Sequence, residues 1–133
     1  MITIGEHVCL WVADKIDHKY HANSGAGIGI EKEGKVICGV LFECHNGNSI
    51  QIHVALEDGE RMTREWLNVL FNYAFNQLKV KKIIGVLDST NEKALKFDKH
   101  IGFITEAVIK DAGKHSDLVI LSMTRQQCRF LKD

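Results

Sequence analysis

Apolar positions along the chain follow two different periods. Between residues 62 and 78 they recur after one, four and five positions, which places them in a wide stripe along one side of a helix. The members of this stripe are Trp66, Leu67, Leu70, Phe71, Ala74, Phe75 and Leu78. Outside this segment the apolar runs are short and bounded by turn residues, which is typical of strands.

The short apolar runs predict strands on both sides of the long helix. Asn46-Gly47 is a strong hairpin signal between two such runs, and Glu33-Gly34 marks a second turn. The predicted elements are a strand at 7–12, an irregular polar segment at 13–25, a hairpin at 26–45, a third antiparallel strand up to 56, a strand at 81–88, a short helix at 91–102, and strands at 103–112 and 117–124.

This order of elements predicts an α/β fold built on a mixed, mostly antiparallel sheet. A strand, a helix and a second strand in succession imply a right-handed crossover between parallel strands, while the hairpins on either side are antiparallel. The length of 133 residues suits a single domain, residues 1–133, with one core. We therefore expect the helices to cover the faces of one central sheet.

Charge and composition narrow the classes of function. Seventeen basic residues balance seventeen acidic ones, so the chain has no overall field to attract nucleic acid. No apolar stretch approaches the roughly 20 residues that span a bilayer, and the four cysteines form no C-x-x-C pair. We expect a soluble cytoplasmic protein that binds neither nucleic acid nor membrane.

The stretch "NEKALKFDKHIGF" at 91–103 allows two interpretations. In the first it is only a capped helix: Ser89 is the N-cap, Glu92 completes a capping box and Gly102 ends the helix. In the second it binds a ligand, because a segment of the form N-x-x-A, a hydrophobic residue and then G-F packs beside acetyl-coenzyme A in one family. The residues that match this form are Asn91, Ala94, Phe97, Gly102 and Phe103.

With the order of elements added, the chain resembles the GCN5-related N-acetyltransferase family from about Gly25 to Leu131. The ending "LSMTRQQCRFL" is similar to ribosomal-protein acetyltransferase-like and small phage-encoded members. The resemblance implies acetyl-coenzyme A as co-substrate and an amine as acceptor. Asn91 and Phe97 would then lie beside the coenzyme.

The family also has a pyrophosphate-binding loop of the form Q/R-x-x-G-x-G/A before the long helix. The corresponding residues "GERMTR" run from Gly59 to Arg64, and Met62 and Arg64 stand where the family has small residues. Backbone amides at a helix start attract phosphate, so the amides of Met62 and Thr63 and the side chains of Arg61 and Arg64 are the expected contacts. The alternative is a solvated first helical turn.

The resemblance also implies which groups of the chain would take part in the reaction. A backbone N–H near Val54 to Leu56 would polarise the thioester carbonyl and pair with the pantetheine amides. His53 and Glu57 lie on the polar side of that strand and are the candidate bases, with Glu43 as a weaker third; the alternative is a merely solvated strand face.

Asp98 stands where many family members have a tyrosine acid. A carboxyl group is a poor proton donor near neutrality unless burial raises its pKa, which leaves the acid in question. The sequence therefore also allows a catalytically degenerate binding module that keeps this fold.

The segment 13–25 is short for the two helices that the family usually places there, since it holds at most one short helix. We expect an open acceptor side, which favours a large acceptor such as a protein amine, or a partner subunit, as in a homodimer, that closes the gap. His18 and His21 form the closest histidine pair but lack a carboxylate or Cys at motif spacing, so no metal site is predicted.

Overall fold

The computed structural model describes residues 1–131, which form seven strands and three α-helices. The strands are β1 (Ile2–Ile4), β2 (Ala26–Lys32), β3 (Lys35–Glu43), β4 (Ser49–Leu56), β5 (Lys82–Asp88), β6 (Ile104–Ile109) and β7 (Leu118–Thr124). The helices are α1 (Glu6–Lys15), α2 (Arg64–Asn72) and α3 (Glu92–Ile101), with a π-helical turn at Tyr73–Gln77 and a 3₁₀ turn at Arg125–Gln127.

All seven strands form one sheet in the order β1-β2-β3-β4-β5-β7-β6. Only β4 and β5 run parallel, and every other neighbouring pair is antiparallel. The parallel pair is the one joined through α2, as the crossover rule requires. The predicted fold class, an α/β fold with a mixed, mostly antiparallel sheet, is confirmed.

The predicted strand at 7–12 is wrong, because these residues belong to α1. The buried side chains of α1 are Val8, Cys9, Val12 and Ala13, which recur after one, four and five positions and so share one side of a helix. An apolar run of six residues does not distinguish a strand from a helix by its period alone. The first strand is instead Ile2–Ile4, which pairs with β2.

Glycines on the sheet let α1 pack unusually close to it. A Cβ atom at Gly27 would lie 2.9 Å from the backbone nitrogen of Cys9, and one at Gly39 would lie 2.9 Å from Cγ2 of Val12. No real side chain fits at these distances. The two glycines therefore set the depth at which α1 lies on β2 and β3.

The helices cover opposite faces of the sheet. The larger core lies between the sheet and the side on which α2 and α3 pack, and Trp66, Phe71 and Phe42 are its largest side chains. A smaller core lies under α1 and includes Val8 and Leu41. None of the helices within residues 1–131 combines the length and the apolar character needed to cross a membrane.

The long helix begins two residues later than predicted, at Arg64, and continues through the π-helical turn to Gln77. The start of α3 also differs from the capping-box prediction. Asn91, not Ser89, is the N-cap, and its Oδ1 accepts a hydrogen bond from the Ala94 N–H at 3.3 Å. Ser89 instead exchanges hydrogen bonds with Asp117, which tie the end of β5 to the β6–β7 turn.

We expect Gly27→Ala to lower the free energy of unfolding by about 1–3 kcal/mol, because the added methyl group forces α1 away from the sheet. Urea unfolding followed by circular dichroism measures this difference. Lys32→Ala, at an exposed position on the same strand, is the control and should change stability by less than about 0.5 kcal/mol. Equal stability of Gly27→Ala and the wild type would mean that α1 is not held at this depth.

Candidate active site

A gap opens in the middle of the sheet where β4 and β5 separate. Their pairing joins Ser49–Ile52 to Lys82–Gly85 and then ends, although β4 continues to Leu56 and β5 to Asp88. Both strands remain paired on their outer sides, β4 with β3 and β5 with β7. We call this gap the cleft; its narrow end lies at Ile52 and Gly85.

Backbone groups of β4 point into the cleft. The N–H of Glu57 donates to the carbonyl of Ile37 at 2.8 Å, so odd-numbered residues of this strand bond to β3. Backbone groups of successive residues in a strand point to opposite sides. The N–H groups of Val54 and Leu56 therefore face the side from which β5 has moved away.

The cleft widens into a cavity of about 890 Å³. Its walls come from β4, β5, the start of α3, the loop after α1 and the β6–β7 turn. This cavity brings together four of the predicted site residues, His53, Val54, Asn91 and Asp98. The other predicted site residues are absent from its lining; these are Leu56, Glu57, Gly59, Arg61, Met62, Thr63, Arg64 and Phe97.

Asp98 lies at the narrow end of the cleft, on the face of the sheet that α2 and α3 cover. A Cβ atom at Gly85 would be 3.7 Å from its Oδ2, so the absence of a side chain at Gly85 leaves space for the carboxyl group. Burial raises the pKa of Asp98 to about 7. The carboxyl group can thus hold a proton near neutrality, as a proton donor must, although an aspartate with an ordinary pKa could not.

His53 lies next to the narrow end, on the face of the sheet that carries α1. Its Nε2 is 3.0 Å from Oε1 of Glu43, and the same oxygen is 2.7 Å from Nε2 of His18. Burial lowers the pKa of His53, and the charge of a protonated His18 lowers it further, while the carboxylate of Glu43 acts in the opposite direction. His53 is therefore held as a neutral imidazole that can accept a proton.

Comparison with solved structures identifies this architecture. The N152L mutant of the spermidine N-acetyltransferase SpeG from Vibrio cholerae superposes with a TM-score of 0.74 at 15% sequence identity, over 95% of this chain and 94% of that one. A structure described as "a putative phosphinothricin N-acetyltransferase" gives a TM-score of 0.67 at 19% identity, over 93% of this chain and 97% of that one.

The chain has the GCN5-related N-acetyltransferase fold. No protein-family model and no curated protein matches the sequence. The resemblance noted from "NEKALKFDKHIGF" is therefore confirmed at the level of the fold, while the ribosomal-protein-like or phage-like subtype stays a prediction.

Glu57, the second predicted base, lies outside the cavity and forms an ion pair with Lys15. Its carboxylate lies 2.6 Å from Nζ of Lys15 in the last turn of α1, and the side chain is 44% exposed. His53 is the only one of the two predicted bases that lines the cavity. Glu43, the weaker third candidate, reaches the site only through the two histidines.

The loop before α2 also departs from the phosphate-binding form of the fold. Thr63 is the N-cap of α2, with its Oγ1 accepting from the Trp66 N–H at 3.1 Å, and Met62 packs against the larger core. The guanidinium of Arg64 lies 5.2 Å from the ring centre of Phe130 and donates to the carbonyl of Arg129 at 3.4 Å. Both Arg61 and Arg64 are exposed, but the Arg64 side chain is directed at the C-terminal segment.

Asp88 organises one wall of the cavity, although it is not among the predicted site residues. Its Oδ1 accepts from the N–H and hydroxyl of Thr90, and its Oδ2 accepts from the N–H groups of His115 and Ser116. These hydrogen bonds hold the pKa of Asp88 well below its usual range. The signal in the sequence is "DST" directly after a strand, since an Asp there favours bonding to the backbone two residues on.

We expect the raised pKa of Asp98 to make stability depend on pH. Between its ordinary pKa of 3.8 and about 7, folded chains hold a proton that unfolded chains release, so the free energy of unfolding falls as pH rises through this range. Asp98→Asn should remove that component and raise stability above pH 7 by about 1 kcal/mol or more, because one pKa unit corresponds to about 1.4 kcal/mol.

Urea unfolding at several pH values between 4 and 9 measures this dependence. Asp14→Asn, at an exposed position on α1, serves as the control and should retain the slope of the wild type. An identical slope in the wild type and in Asp98→Asn would show that Asp98 is ionised throughout the range.

Proposed function

We propose that the chain is an acetyl-coenzyme A-dependent N-acetyltransferase that acts on a primary amine. The observation that supports this proposal most is the cleft between β4 and β5, in which two backbone N–H groups and two titratable side chains meet. A cavity of about 890 Å³ falls within the size range of small-molecule and cofactor sites. The neighbours in fold, which are named as N-acetyltransferases, support the same reaction class.

The exposed edge of β4 suits the pantetheine arm of the coenzyme. The N–H groups of Val54 and Leu56 can pair with its amides as an added strand would, and the N–H of Val54 is placed to polarise the thioester carbonyl. Helix α2 begins shortly after β4, so its first backbone amides are available to the pyrophosphate. Arg61 is better placed than Arg64 to add a charged contact there.

Two proton transfers complete the reaction. The imidazole of His53 accepts the proton that the attacking amine loses as its nitrogen bonds to the acetyl carbon. Asp98 donates its proton to the sulfur as the carbon–sulfur bond breaks. Because His53 and Asp98 lie on opposite faces of the sheet, we infer that the amine approaches from the α1 face.

The acceptor is a primary amine, and two chemical classes are candidates: a lysine side chain of a protein and a small polyamine. The α1 face holds one short helix and the irregular segment 16–25, which leaves space for a lysine side chain of a protein. A neighbour in fold is named for spermidine, which makes a small polyamine the second candidate. The homodimer stays a prediction, which size-exclusion chromatography with light scattering tests.

We expect purified protein to transfer an acetyl group from acetyl-coenzyme A to at least one amine in a panel that contains spermidine and lysine peptides. Mass spectrometry of the acceptor detects the product, and release of free thiol gives the rate. His53→Gln and Asp98→Asn should each lower kcat by about 100-fold or more, the usual effect of losing a general base or acid. Asp14→Asn is the control for an acidic residue outside the cavity.

Coenzyme binding is measured beside turnover by calorimetry and thermal shift. A ligand that binds only the folded state raises the melting temperature. Saturable binding without transfer to any amine would favour the catalytically degenerate module, which nothing in the comparisons supports. Absence of both binding and transfer would remove the proposal.

Asn91 allows a sharper test of coenzyme contact, because it both caps α3 and lines the cavity. Asn91→Asp keeps an oxygen for the Ala94 N–H but loses the amide donor, whereas Asn91→Ala loses both. We expect Asn91→Ala to lower stability by about 1 kcal/mol and Asn91→Asp to stay near the wild type.

Both Asn91 variants should bind acetyl-coenzyme A more weakly than the wild type in the calorimeter. The physical reason is loss of the amide hydrogen bond to the coenzyme, which corresponds to a factor of about three to ten in affinity. Wild-type affinity in both variants would show that Asn91 only starts the helix.

A further inference from the structure

Three side chains from separate parts of the chain converge on the α1 face of the cleft. His18 lies in the loop after α1, Glu43 ends β3 and His53 lies on β4. Oε1 of Glu43 is 2.7 Å from Nε2 of His18 and 3.0 Å from Nε2 of His53. One ligand atom from each of the three lies within 4.8 Å of those from the other two.

The hydrogen bonds within residues 1–131 leave this cluster incomplete. The Glu43 side chain is only 13% exposed, and its ion-pair partners among these residues are the two histidines, with no Lys or Arg. Nε2 of His53 is buried and makes no hydrogen bond, since its short contact with Oε1 lacks suitable angles. A buried polar nitrogen without a partner is costly and calls for a ligand or another explanation.

Two imidazole nitrogens and one carboxylate oxygen form a donor set that suits zinc. Catalytic zinc sites commonly use three such protein ligands and keep a fourth position open. Tetrahedral ligands at about 2.0–2.1 Å from zinc are about 3.3 Å apart, so the observed 2.7 and 3.0 Å would need to widen by a few tenths of an ångström. His18 and His53 also line the cavity, which gives an ion a path to the site.

We propose that His18, Glu43 and His53 bind one divalent zinc ion, with an open coordination position directed at the cavity. Two imidazoles, a carboxylate and a path from solvent are what such a site requires. The proposal rests on these three residues and not on the acetyl transfer proposed above. Because an imidazole bound to a metal ion is a much weaker base, bound zinc would inhibit that reaction.

Calorimetric titration of the metal-free full-length protein with Zn²⁺ tests the site. We expect one ion per chain and a rise in melting temperature on binding. His18→Ala and Glu43→Gln should each weaken the affinity by more than about tenfold, since even loss of groups that support the ligands commonly has this effect. Neither change removes a core side chain, and thermal unfolding without metal checks that both variants fold.

Exposed residues provide matched controls. His21→Ala removes the histidine nearest to His18 in sequence, and Cys44→Ser removes the exposed thiol beside Glu43. Both should bind zinc as the wild type does. Titration with Co²⁺ adds a spectroscopic measurement, because the visible absorption of the bound ion reports its geometry and any thiolate ligand.

Two results would overturn the zinc site. One is a dissociation constant weaker than about 1 mM, equivalent to about 4 kcal/mol of binding, which would mean that the three side chains do not form a metal site. The other is affinity that survives in both His18→Ala and Glu43→Gln but falls in Cys44→Ser or His21→Ala, which would place the ion on the surface. Transferase activity is not used in either result, so the zinc site and the acetyl transfer are tested independently.

Discussion

The separation of β4 from β5 is the constraint on which the site depends. On their outer sides, β4 is paired with β3 from Gln51 to Leu56 and β5 is paired with β7 along its full length, and these pairings hold the two strands apart. Backbone groups that would bond to each other in a continuous sheet instead face a cavity. Left buried without partners, each would cost about 1–3 kcal/mol, so water or a ligand must satisfy them. The sheet thus keeps part of its hydrogen-bonding capacity for a bound molecule.

The two titratable side chains beside this gap lie on opposite faces of the sheet, and their pKa values are shifted in opposite directions. Burial acts on an acid and a base in opposite directions, raising the pKa of Asp98 and lowering that of His53. Both shifts favour the uncharged form, so the carboxyl group keeps its proton up to a pH of about 7 and the imidazole tends to lack one. A single physical cause, removal from water, therefore prepares a donor and an acceptor on either side of the sheet.

Much of the fold could be predicted from local patterns, and the parts that failed have physical reasons. The stripe around Trp66 and the Asn46-Gly47 turn depend on neighbours in sequence, and both predictions are confirmed. The run at 7–12 packs as a helix against Gly27 and Gly39, which are distant in sequence, so its own short pattern could not identify it. The side chain of Arg64 is directed at Phe130, which is distant in sequence, and the pKa of Asp98 depends on its burial in the fold. Residue spacing along the chain could reveal neither.

The positions of His53 and Asp98 in the sequence were enough to select them as candidates. The contact between His53 and Glu43 could be found only in the structure.

Two kinds of contact hold the β6–β7 turn, hydrogen bonds to Asp88 and a surface ion pair at Lys114. Asp88 accepts four hydrogen bonds at the base, three of them from backbone N–H groups, whereas Nζ of Lys114 reaches Asp17 through a surface ion pair whose side chains are 56% and 95% exposed. Exposed ion pairs contribute little and weaken as salt is added. Added salt should therefore loosen the contact between the turn and the loop after α1, while the hydrogen bonds of Asp88 keep the turn attached to the end of β5.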